Sequence, residues 1–359
     1  RLATASQKTK PIAAQEAKNA LTGNLCRCTG YQPIIDAAMA IRPSSCIPLK
    51  KRYYSAAQSK ELKAASTQPA RLEGEEFTFF APRSLKEASA YLRKNPETRI
   101  LSAGTDLGVL HNKRKRRLTR TLSLHLVPGL AEIKMRGATK VHVGAGVSLT
   151  EVRRFTQARV PEFARFLDIF ASPQIKNVAT LAGNVANASP IGDTPPFLLV
   201  AGAEVHAFGS KGKRVVPIEE FFLGYRKTAL RRDEVIAAIE FEIPAKVETL
   251  ALYKVSQRKD LDISAVSAAF RVSWKGTGAK RKIQDPRLSM GGVAATPLRL
   301  KKTEKILAGA TPDAATLERA VVMLQSEITP VSDLRGSAAF RRIIAENLLR
   351  RFFEEHVLG

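Results

Sequence analysis

Apolar positions along this chain change their period several times, and each change marks an element. Ile34, Ile35, Ala38 and Ile41 recur at helical spacing. Residues 11–41 therefore predict two short helices around a loop at 23–31, the first opened by Pro11. Residues 42–70 keep no sustained period and are dominated by Pro, Ser, Ala and Lys, which reads as a linker. From about residue 72, strand-like and helix-like runs alternate. FTFFAPRS at 77–84 predicts a strand, SLKEASAYLRKN at 84–95 a helix, and TRILSAGTDL at 98–107 a strand running into a glycine loop. TKVHVGAGVSLTEVRRF at 139–155 predicts strand, glycine turn and helix, with the helical pattern continuing to Phe170.

The second half has a different texture. Phe197 to Ala203 is an apolar run that predicts a buried helix, stiffened at its start by Pro195 and Pro196. Residues 204–248 read mostly as strands, punctuated by Gly209, Gly212 and Pro217. LYKVSQR at 252–258, SAVSAAFRVSW at 264–274 and RLSMGGVAATPLRL at 287–300 predict an antiparallel sheet, and helical spacing returns at 315–328 and 336–356. No fixed-period repeat is present. The expected class is α+β in two units behind a helical fragment.

Composition narrows the function. No run of eighteen apolar residues exists, so a membrane-spanning helix is not expected. RLATASQKTKP at the start lacks the apolar core of a secretory signal. The three cysteines show no disulfide pattern, which points to a reducing compartment and so to the cytoplasm. Lys and Arg number 58 against 33 Asp and Glu, a net charge of +25, concentrated in HNKRKRRLTR at 111–120. Such a run attracts nucleic acid, acidic lipid or an acidic partner. Without interleaved aromatic residues for base stacking, it reads first as a solvated face. A cofactor-free basic interaction module stays open as a reading of the charge.

Two segments carry candidate chemistry. Residues 174–203 crowd Ala182, Gly183, Ala186, Ala188, Ser189 and Gly192 among Thr180, Asn184, Asn187 and Asp193. Small residues allow a flat ligand close to the backbone, and the polar ones suit hydroxyls and phosphate oxygens. A packing turn between two core elements has the same composition. GNLCRCTGY at 23–31 places Cys26 and Cys28 two apart on a glycine-flanked loop. Two such thiolates can reach one inorganic cluster, and Arg27 offsets their charge. In Ala103-Gly104-Thr105-Asp106, successive backbone amides can form an anion-binding nest without a lysine. The histidines, at 111, 125, 142, 206 and 356, show no metal-ligand spacing, and no catalytic triad or carboxylate pair emerges.

Together these segments resemble the molybdenum hydroxylases, and within them the small iron–sulfur and FAD-carrying subunits of the bacterial xanthine dehydrogenase branch. GNLCRCTGYQPIIDA, ILSAGTDLG at 100–108, NVATLAGNVANASPIGDTPP, FFLGYRKTAL at 221–230 and YKVSQRKDLDISAV at 253–266 match in order. The resemblance implies a partial helical [2Fe–2S] domain at 1–41 and a linker at 42–70. A PCMH-type FAD-binding domain at 71–249 and a CO-dehydrogenase-flavoprotein-like α+β domain at 250–359 follow. It implies that Leu101, Ser102, Ala103, Gly104, Thr105, Asp106 and Leu107 hold the FAD diphosphate. Phe170 and Ala171 neighbour the flavin, and Thr180, Asn184 and Asp193 are its polar contacts. Ile239 is an apolar contact, and Lys254 stands near the ring system. Asp193 could instead cap the following helix.

Cys26 and Cys28 are implied as half the ligands of a [2Fe–2S] cluster, which takes four thiolates. The family's plant-type ferredoxin domain and its C-x-x-C are missing here, and Cys46 matches no ligand, so the expectation is a truncated or split chain. The implied work is electron transfer from iron–sulfur clusters through FAD to NAD⁺. Hydroxylation falls to a separate large molybdenum-cofactor subunit, in a hetero-oligomer with two copies of each. A flavoprotein subunit of the CO dehydrogenase or aromatic-CoA reductase type is the alternative within the family.

Overall fold

The computed structural model describes residues 11–114, 117–258 and 261–358. The chain divides into two compact units: the described residues up to Pro69 together with Ser172–Ile175, and Ala70–Ala171 together with the rest from Lys176. In the first unit, helices Ala14–Leu21 and Gln32–Ala40 bury Ile12, Ala17, Ile35 and Ala38 against Leu21 and Ile41. The expected linker forms helices at Leu49–Tyr53 and Ala56–Ala65, neither with a buried residue. Its Ala, Lys, Leu and Glu favour helix locally, while the absent apolar stripe hides that helix from a periodicity search.

In the second unit, β1 (Ala70–Glu73), β2 (Thr78–Ala81), β3 (Arg99–Ile100) and β4 (Arg120–Leu122) pair in the order β1-β2-β4-β3. β2 and β3 both run parallel to β4. Helix Leu85–Lys94, capped by Ser84 accepting from the Glu87 amide, sets Ala88 and Leu92 against Leu122 and Val235. β5 (Ile133–Arg136), β6 (Lys140–Gly144), β7 (Glu204–Gly209) and β8 (Gly212–Pro217) precede a hairpin, β9 (Phe222–Gly224) with β10 (Lys227–Thr228). β11 (Val235–Glu242) completes an antiparallel sheet ordered β5-β6-β11-β7-β8. Strand alternation sends Val141, Val143, Val205, Ile239 and Phe241 into the core and leaves His142, His206, Glu204 and Glu240 on the other face.

The helical pattern expected to run unbroken to Phe170 is two helices, Leu149–Thr156 and Pro161–Ile169. Pro161 has no amide to donate and so starts a new helix. Phe163 stacks on Phe197 with centroids 3.9 Å apart, and Phe241 meets both edge-on.

The third sheet runs β12 (Thr249–Val255), β13 (Val266–Lys275), β14 (Lys282–Gly291) and β15 (Leu298–Arg299), antiparallel throughout. Helices Lys301–Leu307, Ala314–Glu327 and Ala338–His356 close its core around Phe270, Leu324, Leu349, Phe352 and Phe353. Helix Thr194–Val200 is buried at every residue and touches both β13 and β14. Arg271, on β13, donates to the Val200 carbonyl at 3.2 Å and is itself paired with Glu248. No helix among the described residues is long and apolar enough to cross a membrane. Of the basic run, Arg117 pairs with Glu76 and Arg120 with Glu97, both at the surface, while 115 and 116 lie outside the described residues.

Candidate cofactor site

The first loop leaves the sheet where the Leu101 amide donates to the Leu122 carbonyl at 2.7 Å. Gly104 takes φ +70°, a conformation that side chains with a Cβ resist, and the Gly108 amide closes the turn onto the Gly104 carbonyl at 2.6 Å. Between those two bonds the amides of Ser102 through Leu107 find no hydrogen-bond acceptor among the described residues. Backbone donors seldom stay unpaired unless water or a ligand takes them. A run of unpaired amides in an accessible turn leaves donors open to solvent or to an anion.

The second loop comes to meet it. Thr180 bridges to Ser148 and caps helix Leu181–Ala186, accepting from the Gly183 amide at 2.9 Å. Ser102 Oγ lies 3.2 Å from Thr180 Oγ1, and Asn187 Nδ2 donates to Asp106 Oδ1 at 3.4 Å. The two loops therefore meet. Asn184 faces inward instead, its Oδ1 accepting from Thr194 Oγ1 at 2.6 Å, which ties the loop to the buried helix.

At the start of that helix stands Asp193, in the capping position but with no cap bond from its side chain. Its carboxylate accepts from Lys254 Nζ at 2.7 Å and from Ser264 Oγ at 2.5 Å. The Lys254 side chain is only 2 % exposed, and its Nζ lies 5.9 Å from the centre of the Phe170 ring. Ala171, next to that ring, holds φ +44°. The 190–192 turn reaches this cluster because Gly291 leaves room: a Cβ there would meet Pro190 O at 3.3 Å and Gly192 O at 3.4 Å. The structure thus joins Asp193, Lys254 and Phe170, all singled out in sequence, and adds Ser264, which was not. Only its place in the YKVSQRKDLDISAV segment pointed to Ser264. Ile239 is fully buried on β11, which packs against helix Leu181–Ala186, and offers no surface of its own.

In the first unit, Cys26 and Cys28 turn their Sγ atoms to within 3.4 Å, and Thr29 Oγ1 lies 3.1 Å from Cys26 Sγ. The Thr29 hydroxyl first, then the backbone of Thr29 and Cys28, pull the Cys26 thiol down to about 6. Among the described residues no third Cys, His, Asp or Glu joins the pair, and Cys46 bonds to the Arg42 carbonyl instead. Two convergent thiols fit one iron of a [2Fe–2S] cluster, and three cysteines cannot supply its four ligands. Because a lowered pKa favours thiolate above it, alkylation of iron-free protein by iodoacetamide should rise through a midpoint near 6 at Cys26. Thr29→Val should move that midpoint upward, read by mass spectrometry of the modified peptide. An unmoved midpoint would remove Thr29 as the cause.

Comparison with known proteins identifies the domains that carry these loops. Residues 2–39 match the family described as [2Fe-2S] binding domain. Residues 75–246 match the FAD binding domain in molybdopterin dehydrogenase, and 251–356 the CO dehydrogenase flavoprotein C-terminal domain. Xanthine dehydrogenase 2 of Arabidopsis thaliana is 27% identical over 97% of this chain and 30% of its own length. Nicotinate hydroxylase of Emericella nidulans is 33% identical over 76% of this chain and 22% of its own. The chain thus spans under a third of the length of these curated relatives. A solved carbon monoxide dehydrogenase chain from Hydrogenophaga pseudoflava superposes with TM-score 0.72 at 26% identity, covering 78% of this chain and 96% of that one. Quinoline 2-oxidoreductase from Pseudomonas putida 86 gives 0.71 at 26% identity, covering 80% and 99%.

The matched domains define a flavoprotein: an FAD-binding domain and a CO-dehydrogenase-flavoprotein C-terminal domain, with a [2Fe–2S]-binding domain match ahead of them. The chain is an FAD-binding component of the molybdenum hydroxylase family of oxidoreductases.

Proposed function

We propose that the chain is the FAD-carrying electron-transfer subunit of a xanthine dehydrogenase-type enzyme. Purine hydroxylation then belongs to a separate molybdenum-cofactor subunit, NAD⁺ is the final acceptor, and two copies of each subunit assemble. The observation that carries this reading is the combination, in one chain, of a convergent thiol pair and two flavin loops joined at Ser102 and Thr180. The xanthine dehydrogenase relatives extend over both regions, whereas the CO dehydrogenase and quinoline oxidoreductase chains cover 78% and 80% of this one.

On this reading the segment Leu101 to Leu107 holds the FAD diphosphate, with the unpaired amides of Ser102 to Leu107 as its donors. Thr180 fixes the second loop against the first, and Asn184 anchors it to the buried helix. Phe170 and Ala171 flank the ring system, with Ile239 supporting from the core. Lys254 supplies a positive charge near the ring, and Asp193 holds that lysine in place. When bound, FAD supplies the exchange between one-electron donors and a two-electron acceptor, with potential set by the charges around it. Cys26 and Cys28 contribute half of one cluster's ligands.

The test is to purify the chain with its molybdenum partner, measure flavin and iron per chain, and assay xanthine, quinoline and carbon monoxide with NAD⁺. Stoichiometric FAD and NAD⁺-linked xanthine oxidation are expected. Turnover of carbon monoxide or quinoline in place of xanthine would move the chain to that branch, and a colourless protein that refuses FAD would end the proposal.

A further inference from the structure

We propose a divalent transition-metal site on the outer face of the five-stranded sheet, formed by Glu204, His206 and Glu240. It is independent of the flavin reading. Register builds it: β11 lies between β6 and β7, pairing Glu240 with His142 on one side and with Glu204 on the other. The β-bulge between Ile236 and Ala238 resets the register, so that His206 falls opposite Ala238, one step from Glu240 on the same face. One ligand atom from each of Glu204, His206 and Glu240 lies within 4.8 Å of the others.

A second, separate observation points to a ligand. His206 Nε2 is inaccessible to solvent and has no hydrogen-bond partner among the described residues. It faces Glu240 Oε2 from 3.6 Å, too long for a hydrogen bond. That separation suits two ligands of one ion, since bonds of about 2.0–2.2 Å in a tetrahedral site space donors by about 3.4 Å. An imidazole nitrogen left unpaired costs free energy that a metal ion would recover.

The surroundings are those of a ligand shell. His142 Nδ1 lies 2.6 Å from Glu240 Oε1 and orients that carboxylate, the outer-shell role that tunes metal ligands. Lys140 holds Glu204 at 3.2 Å and Arg136 stands 3.5 Å from Glu240. Both are long and substantially exposed, so each can swing into water when an ion arrives. One imidazole and two carboxylates, without sulfur, suit Zn²⁺ or Co²⁺ with water in the remaining position.

The test uses the full chain with its cysteines alkylated, so that Cys26 and Cys28 do not compete. Titration with Co²⁺ should saturate at one ion per chain, with visible bands of a low-coordinate site and no thiolate charge transfer, and Zn²⁺ should displace it. His206→Ala and Glu240→Gln should each weaken binding at least tenfold, with fold checked by circular dichroism. Lys140→Met should tighten binding, because it frees Glu204 while leaving every ligand in place. Failure to saturate, undiminished binding in His206→Ala, or no gain from Lys140→Met would each overturn the proposal.

Discussion

Replacing Asp193 by alanine is expected to destabilise the chain by about 3–5 kcal/mol, the cost of leaving a buried charge without its partner. The melting temperature should fall by about 4–7 °C, given little more than one degree per kcal/mol in a chain of this size. The cause is Lys254, whose side chain is 2 % exposed and whose ammonium donates to Asp193 at 2.7 Å. Removing the carboxylate strands that ammonium beside the Phe170 ring, and Ser264 loses its acceptor as well. A double variant, Asp193→Leu with Lys254→Met, removes both charges and should recover most of the loss, because well-packed apolar replacements of buried pairs are often neutral. Calorimetry on the two variants decides the matter. A double variant as unstable as Asp193→Ala would show that the charge pair is not the cause.

Gly104→Val should weaken FAD retention by about two orders of magnitude or more with little change in secondary structure. A β-branched residue resists the φ of +70° found there, and a new Cβ would meet Leu101 Cδ1 at 3.1 Å. Strain of about 1–2 kcal/mol turns the peptide rather than unfolding the domain. The amides of Ser102 to Leu107, which on the proposed reading face the diphosphate, are then turned away from it. Charge-assisted hydrogen bonds contribute about 1.5–3 kcal/mol each, so misaligning a pair of them gives the stated factor. Flavin fluorescence during dialysis measures it. Unchanged retention would separate this turn from the diphosphate.

Local patterns in the sequence already outlined much of the site. The Gly104 turn, the Thr180 segment and the Cys26–Cys28 loop are short-range features whose composition allowed a packing reading as well as a ligand one, and only the family resemblance chose between them. Long-range pairings were not. Asp193 and Lys254 were each singled out, yet nothing in the chain announces that they bond to each other, or that Ser264 completes the set. The sheet site was invisible for the same reason: Glu204, His206 and Glu240 come together only through strand order and a bulge. Helices Leu49–Tyr53 and Ala56–Ala65 escaped because they bury nothing, and an apolar stripe was the signal sought. The break before Pro161 was overlooked, although proline cannot continue a preceding helix as donor.

Helix Thr194–Val200 has all 7 of its residues buried, and β13 and β14 form part of the wall around it. A fragment cut between Glu242 and Thr249 would bare that apolar rod to water and remove Arg271 from the Val200 carbonyl. The cofactor-holding half and its tail therefore rise and fall as one cooperative body, and a gene-level boundary near residue 250 marks no point at which the protein can be safely divided.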